Sequence, residues 1–168
     1  MGLDITAYSN LIPVAPDDVT TFDCDDPPDD VLRVWRHPDK WNSRTEPFDG
    51  YCRTTDRTHR FKFRAGSYSG YNWWRNILSQ HFYGVPAAHV WDNRDEYRDL
   101  PFYELIDFSD CEGSIGATVA EKLASDFEAY RTEALQVAVE DYEYWLQQYD
   151  NWARAFALAA QDGVVSFH

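Results

Sequence analysis

Phe61-Lys62-Phe63-Arg64-Ala65-Gly66-Ser67-Tyr68-Ser69-Gly70-Tyr71-Asn72-Trp73-Trp74-Arg75 changes its periodicity halfway along. Phe61 to Ala65 alternates apolar and polar residues, the period of a half-buried strand. Past the two glycines and two serines, residues 71–82 divide at helical spacing. Asn72, Arg75, Asn76 and Ser79 fall on one face; Trp73, Trp74, Ile77, Leu78 and His81 fall on the other. A strand that turns directly into a helix makes this stretch the pivot of an α+β fold. Small residues let a backbone approach a ligand closely, and a helix start offers unpaired N–H groups. It is therefore also the most site-like stretch of the sequence.

Outward from that pivot, Leu3-Asp4-Ile5-Thr6-Ala7 alternates as a second strand, and Val164-Val165-Ser166-Phe167 reads as a closing strand that pairs near it. Gly163 sits where a C-cap glycine belongs. Thr118-Val119-Ala120-Glu121 has capping-box spacing and predicts a helix start. The stripe Val119, Leu123, Phe127, Tyr130, Ala134 follows it at i+3/i+4 spacing. A last helix is expected over about 140–161, with an aromatic seam of Tyr142, Trp145, Tyr149, Trp152 and Phe156 that buries against the sheet or the preceding helix. The prediction is one α+β domain over 1–168. It has a small, mostly antiparallel sheet with the first and last strands in it, packed on about three helices. Residues 17–30 hold seven aspartates and Pro27-Pro28, and are expected to be a mobile acidic loop. Val31 to Arg36 suggests a strand; the remainder of 31–60 reads as a long irregular connection.

Composition bounds the function classes. A net charge of −14 opposes direct binding to nucleic acid through a general basic surface. Residues 1–32 carry eight acids, residues 33–64 gather arginine and lysine, and residues 101–168 carry thirteen acids against Lys122, Arg131 and Arg154. No stretch approaches the roughly 20 apolar residues of a membrane span, and the opening residues lack the regions of a signal peptide, so a cytoplasmic setting is expected. Cys24, Cys52 and Cys111 are odd in number and far apart, which fits free thiols better than a zinc site or disulfide framework.

Two constellations carry candidate chemistry. Backbone N–H groups after Gly66, with Ser67, Ser69 and Asn72, suit a phosphate or other anion. Arg64 and Arg75 would add bidentate contacts there, and Tyr68 or Tyr71 an aromatic face. The glycine spacings of the P-loop and dinucleotide fingerprints are absent. Asp107, Asp110 and Glu112 place three carboxylates within six residues, a pattern that suits Mg²⁺ or a division of acid and base roles. The plainer reading of each is structural: a capped strand-to-helix turn, and acids that complement a helix dipole. No serine elbow is present, and Cys111 among acids is a poor nucleophile.

Met1-Gly2-Leu3-Asp4-Ile5-Thr6-Ala7-Tyr8 resembles the opening of a family of uncharacterised small proteins encoded by bacteriophages and prophages. So do Phe63 to Asn72, Glu104 to Gly113 and the closing Phe167-His168. That family supplies no catalytic residues. The resemblance implies a setting inside a host bacterial cell. Three functions are expected from these residues. The first is a protein that binds a small anion such as a nucleotide and counteracts bacterial defence by sequestration. Its pocket would join the Arg64–Arg75 loop, Asp107–Gly113 and His168. The second is an acidic inhibitor, or nucleic-acid mimic, of a host defence protein; the third is a metal-assisted hydrolase.

Overall fold

The computed structural model describes residues 2–19, 23, 26–34, 50–108, 111 and 113–168. The chain is α+β, with two antiparallel sheets. In chain order the elements are β1 (Leu3–Tyr8), β2 (Ile12–Pro13), α1 (Pro16–Val19), β3 (Val31–Val34), β4 (Gly50–Arg53), β5 (Arg60–Gly66), α2 (Tyr68–Tyr83), α3 (Ala87–Asp92), α4 (Arg94–Tyr97), α5 (Tyr103–Ile106), β6 (Gly113–Gly116), α6 (Ala117–Ala129), α7 (Arg131–Ala134), α8 (Tyr142–Ala159) and β7 (Val164–Phe167).

The main sheet has the order β5-β1-β7-β6, so the first and last strands lie side by side at its centre, with Ile5 opposite Phe167 and Tyr8 opposite Val164. Alternation decides its faces. Leu3, Ile5, Ala7, Ala65, Ile115, Val165 and Phe167 are buried on the helix side. Three long helices, α2, α6 and α8, fill that side with aromatic rings. Trp74, Trp145 and Trp152 are fully buried, and the Trp74 indole donates to the Trp145 carbonyl at 3.0 Å. The seam of α8 is therefore core: Trp145, Tyr149, Trp152, Phe156 and Ala159 are all buried.

Residues 50–60 are more ordered than the expected irregular connection. β4 pairs with both β2 and β3 to make a second sheet. Its Val34 and Cys52 join Leu11 and Val164 in a small apolar cluster, so this sheet covers part of the outer face of the main one. The strand suggested by Val31–Arg36 is present as Val31–Val34, while residues 35–49 lie outside those described. So do 20–22, 24 and 25 of the expected mobile loop.

Three local expectations are corrected. First, α2 is rotated about its axis relative to the predicted faces. Arg75 and Ser79 are buried, whereas Trp73 is 37% exposed and His81 is exposed. The reason is that both polar groups find carbonyl partners inside. Arg75 Nη1 donates to Phe108 O at 2.5 Å, its guanidinium lying between the rings of Tyr71 and Trp91, and Ser79 Oγ donates to Val85 O at 2.8 Å. Buried polar groups with partners cost little, and here they fasten α2 to the segments that follow it. Second, α6 starts at Ala117, with Gly116 in the N-cap place and no side-chain cap. Thr118 falls inside the first turn because β6 runs straight into the helix, and the start is fixed where Gly116 leaves its pairing with Val164. Third, Gly163 is not a left-handed C-cap. Asp162 holds the positive φ of 50°, and Gly163 is required by a close approach to Tyr8.

Candidate functional site

The stretch that decides the fold is placed as a tight capped turn. Gly66 has φ of 106°, and a side chain there would meet the Tyr144 hydroxyl, which donates to Ala65 O at 3.2 Å. Ser67 is the N-cap of α2. Its Oγ accepts from Gly70 N at 3.0 Å and lies 3.0 Å from Ser69 Oγ, and its carbonyl accepts from Tyr71 N. The amino end of α2 is thus served by its own residues. Ser67→Ala should cost about 1 kcal/mol of stability, read by urea unfolding, as an N-cap loss does.

Of the predicted ligand residues, Arg64, Ser67 and Ser69 are exposed. Tyr68 is partly buried against the core, Asn72 is half-buried, and Arg75 is inside. Arg64 faces Asp4 at 3.5 Å, with both side chains about half exposed. His168 lies on the same outer face of the sheet, its Nε2 2.9 Å from Thr6 Oγ1, and its main chain pairs with Asp4. Arg75 links α2 to the start of the Asp107–Gly113 segment through the carbonyls of Ile106 and Phe108.

The carboxylates expected to hold a metal are only partly visible. Asp110 and Glu112 lie outside the described residues, among which no group of three or more metal-ligating side chains occurs. Asp107 is described and fully engaged in structure. Its side chain has no exposure, and accepts from Arg94 Nε at 2.9 Å and from the Tyr103 hydroxyl at 3.3 Å. Burial, reinforced by the charge of Asp107, pushes the Tyr103 hydroxyl up to about 12. The hydrogen bond to Asp107 raises Arg94. A neighbouring pair follows the same logic: the unexposed carboxylate of Glu104 meets Lys122 Nζ at 2.8 Å, which also reaches Asp126 at 2.8 Å. A buried carboxylate survives only with such partners.

A cleft of about 420 Å³ opens elsewhere, where β2, the ends of β3 and β4, the 54–58 turn and the β6–α6 junction meet. Leu11, Ile12, Val34 and Val164 give it an apolar wall. Gly116, Ala117 and Thr118 bring the first turn of α6 to its edge, and Arg57, Asn10, Thr55 and Asp162 add polar groups. The N-cap position of α6 is Gly116, which has no side chain of its own to cap the helix. The Arg57 guanidinium forms no ion pair among the described residues; the turn that carries it is held by Thr55 Oγ1 accepting from Arg57 N at 3.2 Å, and by Asn10 Nδ2 donating to Arg57 O at 3.2 Å. Cys52 also lines the cleft, but burial pushes its thiol up to about 11, so it stays protonated near neutral pH and is no nucleophile.

Sequence reasoning missed this cleft because its walls come from segments far apart in the chain. The one local signal was Gly113-Ser114-Ile115-Gly116 running into Ala117, small residues at a strand-to-helix junction. Comparison of the chain with protein-family models, curated proteins and solved structures finds no match.

Proposed function

We propose that the protein binds a small anionic ligand, of the nucleotide class, in the cleft between the second sheet and the amino end of α6. The observation that carries this reading is the cleft itself. Its volume lies in the range of small-molecule sites, roughly 300–1,000 Å³, and its lining joins an apolar wall to a few polar groups. The positive end of the α6 dipole and the Arg57 guanidinium, which forms no ion pair among the described residues, favour negative charge at one end; Leu11, Ile12 and Val34 favour a planar or apolar body at the other. The reading keeps the ligand class expected from the sequence and moves its site from the start of α2, capped by Ser67, to the cleft beside α6.

Binding, not turnover, is what these residues support: the Cys52 thiol of the cleft is protonated, and Asp107 is held in an ion pair. The resemblance to phage and prophage proteins supports a setting in a bacterial host. There, withholding a nucleotide from a defence system is a role such a site would serve. The alternative of an acidic mimic asks residues 17–30 and 101–150 to form one acidic face. Arg53 on Asp30 at 2.6 Å sets a cation among the acids of the first segment, which disfavours it.

A panel of nucleotides and inorganic phosphate tests the proposal by thermal unfolding and native mass spectrometry. A ligand at a hundredfold over its Kd should stabilise by about 2.7 kcal/mol and raise the midpoint by about 5–10 °C. Arg57→Glu should weaken that ligand about tenfold or more, since a charge-assisted contact is worth about 1.5–3 kcal/mol. No shift with any member of the panel would overturn the reading.

A further inference from the structure

β5 is an edge strand of the main sheet, and the pattern of main-chain bonds shows which of its groups face outward. Ser9 N donates to His59 O at 3.0 Å, so the odd-numbered residues at the start of β5 turn their main chain towards β1. Asp4, opposite Arg64, exchanges both of its main-chain bonds with His168 across the other side of β1. Arg64 therefore points its own N–H and C=O away from β1, where its carbonyl accepts from Gln148 Nε2 at 3.3 Å. Strand geometry gives Lys62 and Arg60 the same outward orientation. Their main-chain groups form an open edge among the described residues.

The side chains along that edge are ordered by the same alternation. Arg60, Lys62 and Arg64 are exposed on the outer face of the sheet, at a spacing of about 6.5–7 Å. Arg60 and Lys62 form no ion pair among the described residues, in a chain whose net charge is −14. On the other face Phe61 and Phe63 are half-buried, and the Arg154 guanidinium lies 4.1 Å from the Phe61 ring centre.

We propose that this edge accepts an extended acidic peptide segment, added as a further strand, in which carboxylate and apolar residues alternate. The carboxylates stand opposite Arg60, Lys62 and Arg64 as cross-strand pairs, and the apolar residues lie beside Phe61 and Phe63. A second copy of β5 is the wrong occupant, because it sets the same cations against each other; positive charge on an edge is a general guard against such self-pairing. Single-stranded nucleic acid matches the charge spacing but has no N–H and C=O ladder to complete the open edge.

The probe is an acetylated heptapeptide alternating valine and glutamate. It should bind saturably and slow amide exchange at Arg60 and Lys62, read by NMR. Lys62→Pro removes an outward N–H that no ladder bond uses, a substitution that edge strands accept, and should weaken the peptide about tenfold or more with little change in the unfolding midpoint. Should that variant misfold, Arg60→Gln with Lys62→Gln keeps the strand and should lower the affinity by a similar factor. The proposal is overturned if the amides of Arg60 and Lys62 stay unprotected, if the folded variants bind as tightly as the parent, or if a valine–lysine peptide binds equally well. Tighter binding of oligothymidylate at the same residues would also overturn it.

Discussion

Trp152→Ala should remove about 3–5 kcal/mol of stability, the cost of emptying a fully buried indole site. That is a large share of the roughly 5–15 kcal/mol that holds a domain folded. Trp152 is the ring on which the layers meet. It lies 5.0 Å from Phe63 of β5, 5.5 Å from Phe167 of β7, 5.6 Å from Tyr71 and 6.2 Å from Trp74 of α2, and 5.6 Å from Phe156 of its own helix. Neither the sheet nor α2 can close far into the space it leaves without losing other contacts. Urea unfolding followed by circular dichroism gives the loss directly. Trp152→Phe sharpens the test. The indole N–H of Trp152 has no hydrogen-bond partner among the described residues, so phenylalanine keeps much of the packing and removes a buried donor that costs about 1–3 kcal/mol unpaired. Its loss should be well below that of the alanine variant. Equal losses would show that a phenyl ring recovers none of the packing that the indole provides.

Gly163→Ala should be destabilising by about 3 kcal/mol or more, the upper end of the cost of overfilling a core, although it adds a single methyl group. An added Cβ would lie 1.8 Å from Tyr8 O and 2.9 Å from Ser9 Cα. Both are main-chain atoms at the end of β1, and a neighbouring pair of bonds, Asn10 N to Gln161 O at 2.7 Å and Leu11 N to Asp162 O at 2.8 Å, holds them there. No flexible side chain can yield, so β1 and the start of β7 must separate. Gly84 makes the control: its φ of 73° suits glycine, but among the described residues no atom beyond its chain neighbours lies within 4 Å of an added Cβ. Gly84→Ala should therefore cost only the strain of a left-handed residue, about 1–2 kcal/mol. A thermal unfolding comparison of the two variants separates close approach from backbone strain.

How much was legible in the sequence follows from the range of the interactions. Period-two alternation found β1 and β5, because their apolar residues face the helices, and the run Val164-Val165-Ser166-Phe167 marked β7 by its strand-forming residues. Period 3.6 found α6 and α8 for the same reason. The faces of α2 were misassigned because charge was taken as a sign of exposure, and nothing near Arg75 in sequence announces that the carbonyls of Ile106 and Phe108 need a donor. The hairpin-like pairing of β3 with β4 was invisible because its strands are short and residues 35–49 lie between them. The site suffered most. The Gly/Ser stretch offered both a capped turn and a ligand loop, and Ser67 and Tyr144 serve its polar groups from within, while the cleft is built from segments far apart in the chain, from Asn10 to Val164.

The placement of β1 beside β7 at the centre of the main sheet has a kinetic consequence. Ile5 and Phe167 are neighbours in the sheet although nearly the whole chain lies between them. Ribosomes add about 5–20 residues per second, so β1 waits roughly 8–30 s after its synthesis for β7 to emerge. Until then, Leu3, Ile5 and Ala7 can pair through β5 alone, and the slot that β7 will fill stands open as an unpaired edge beside exposed aromatic rings. Folding of such high contact order is intrinsically slow, and the nascent chain is most prone to aggregate during that interval.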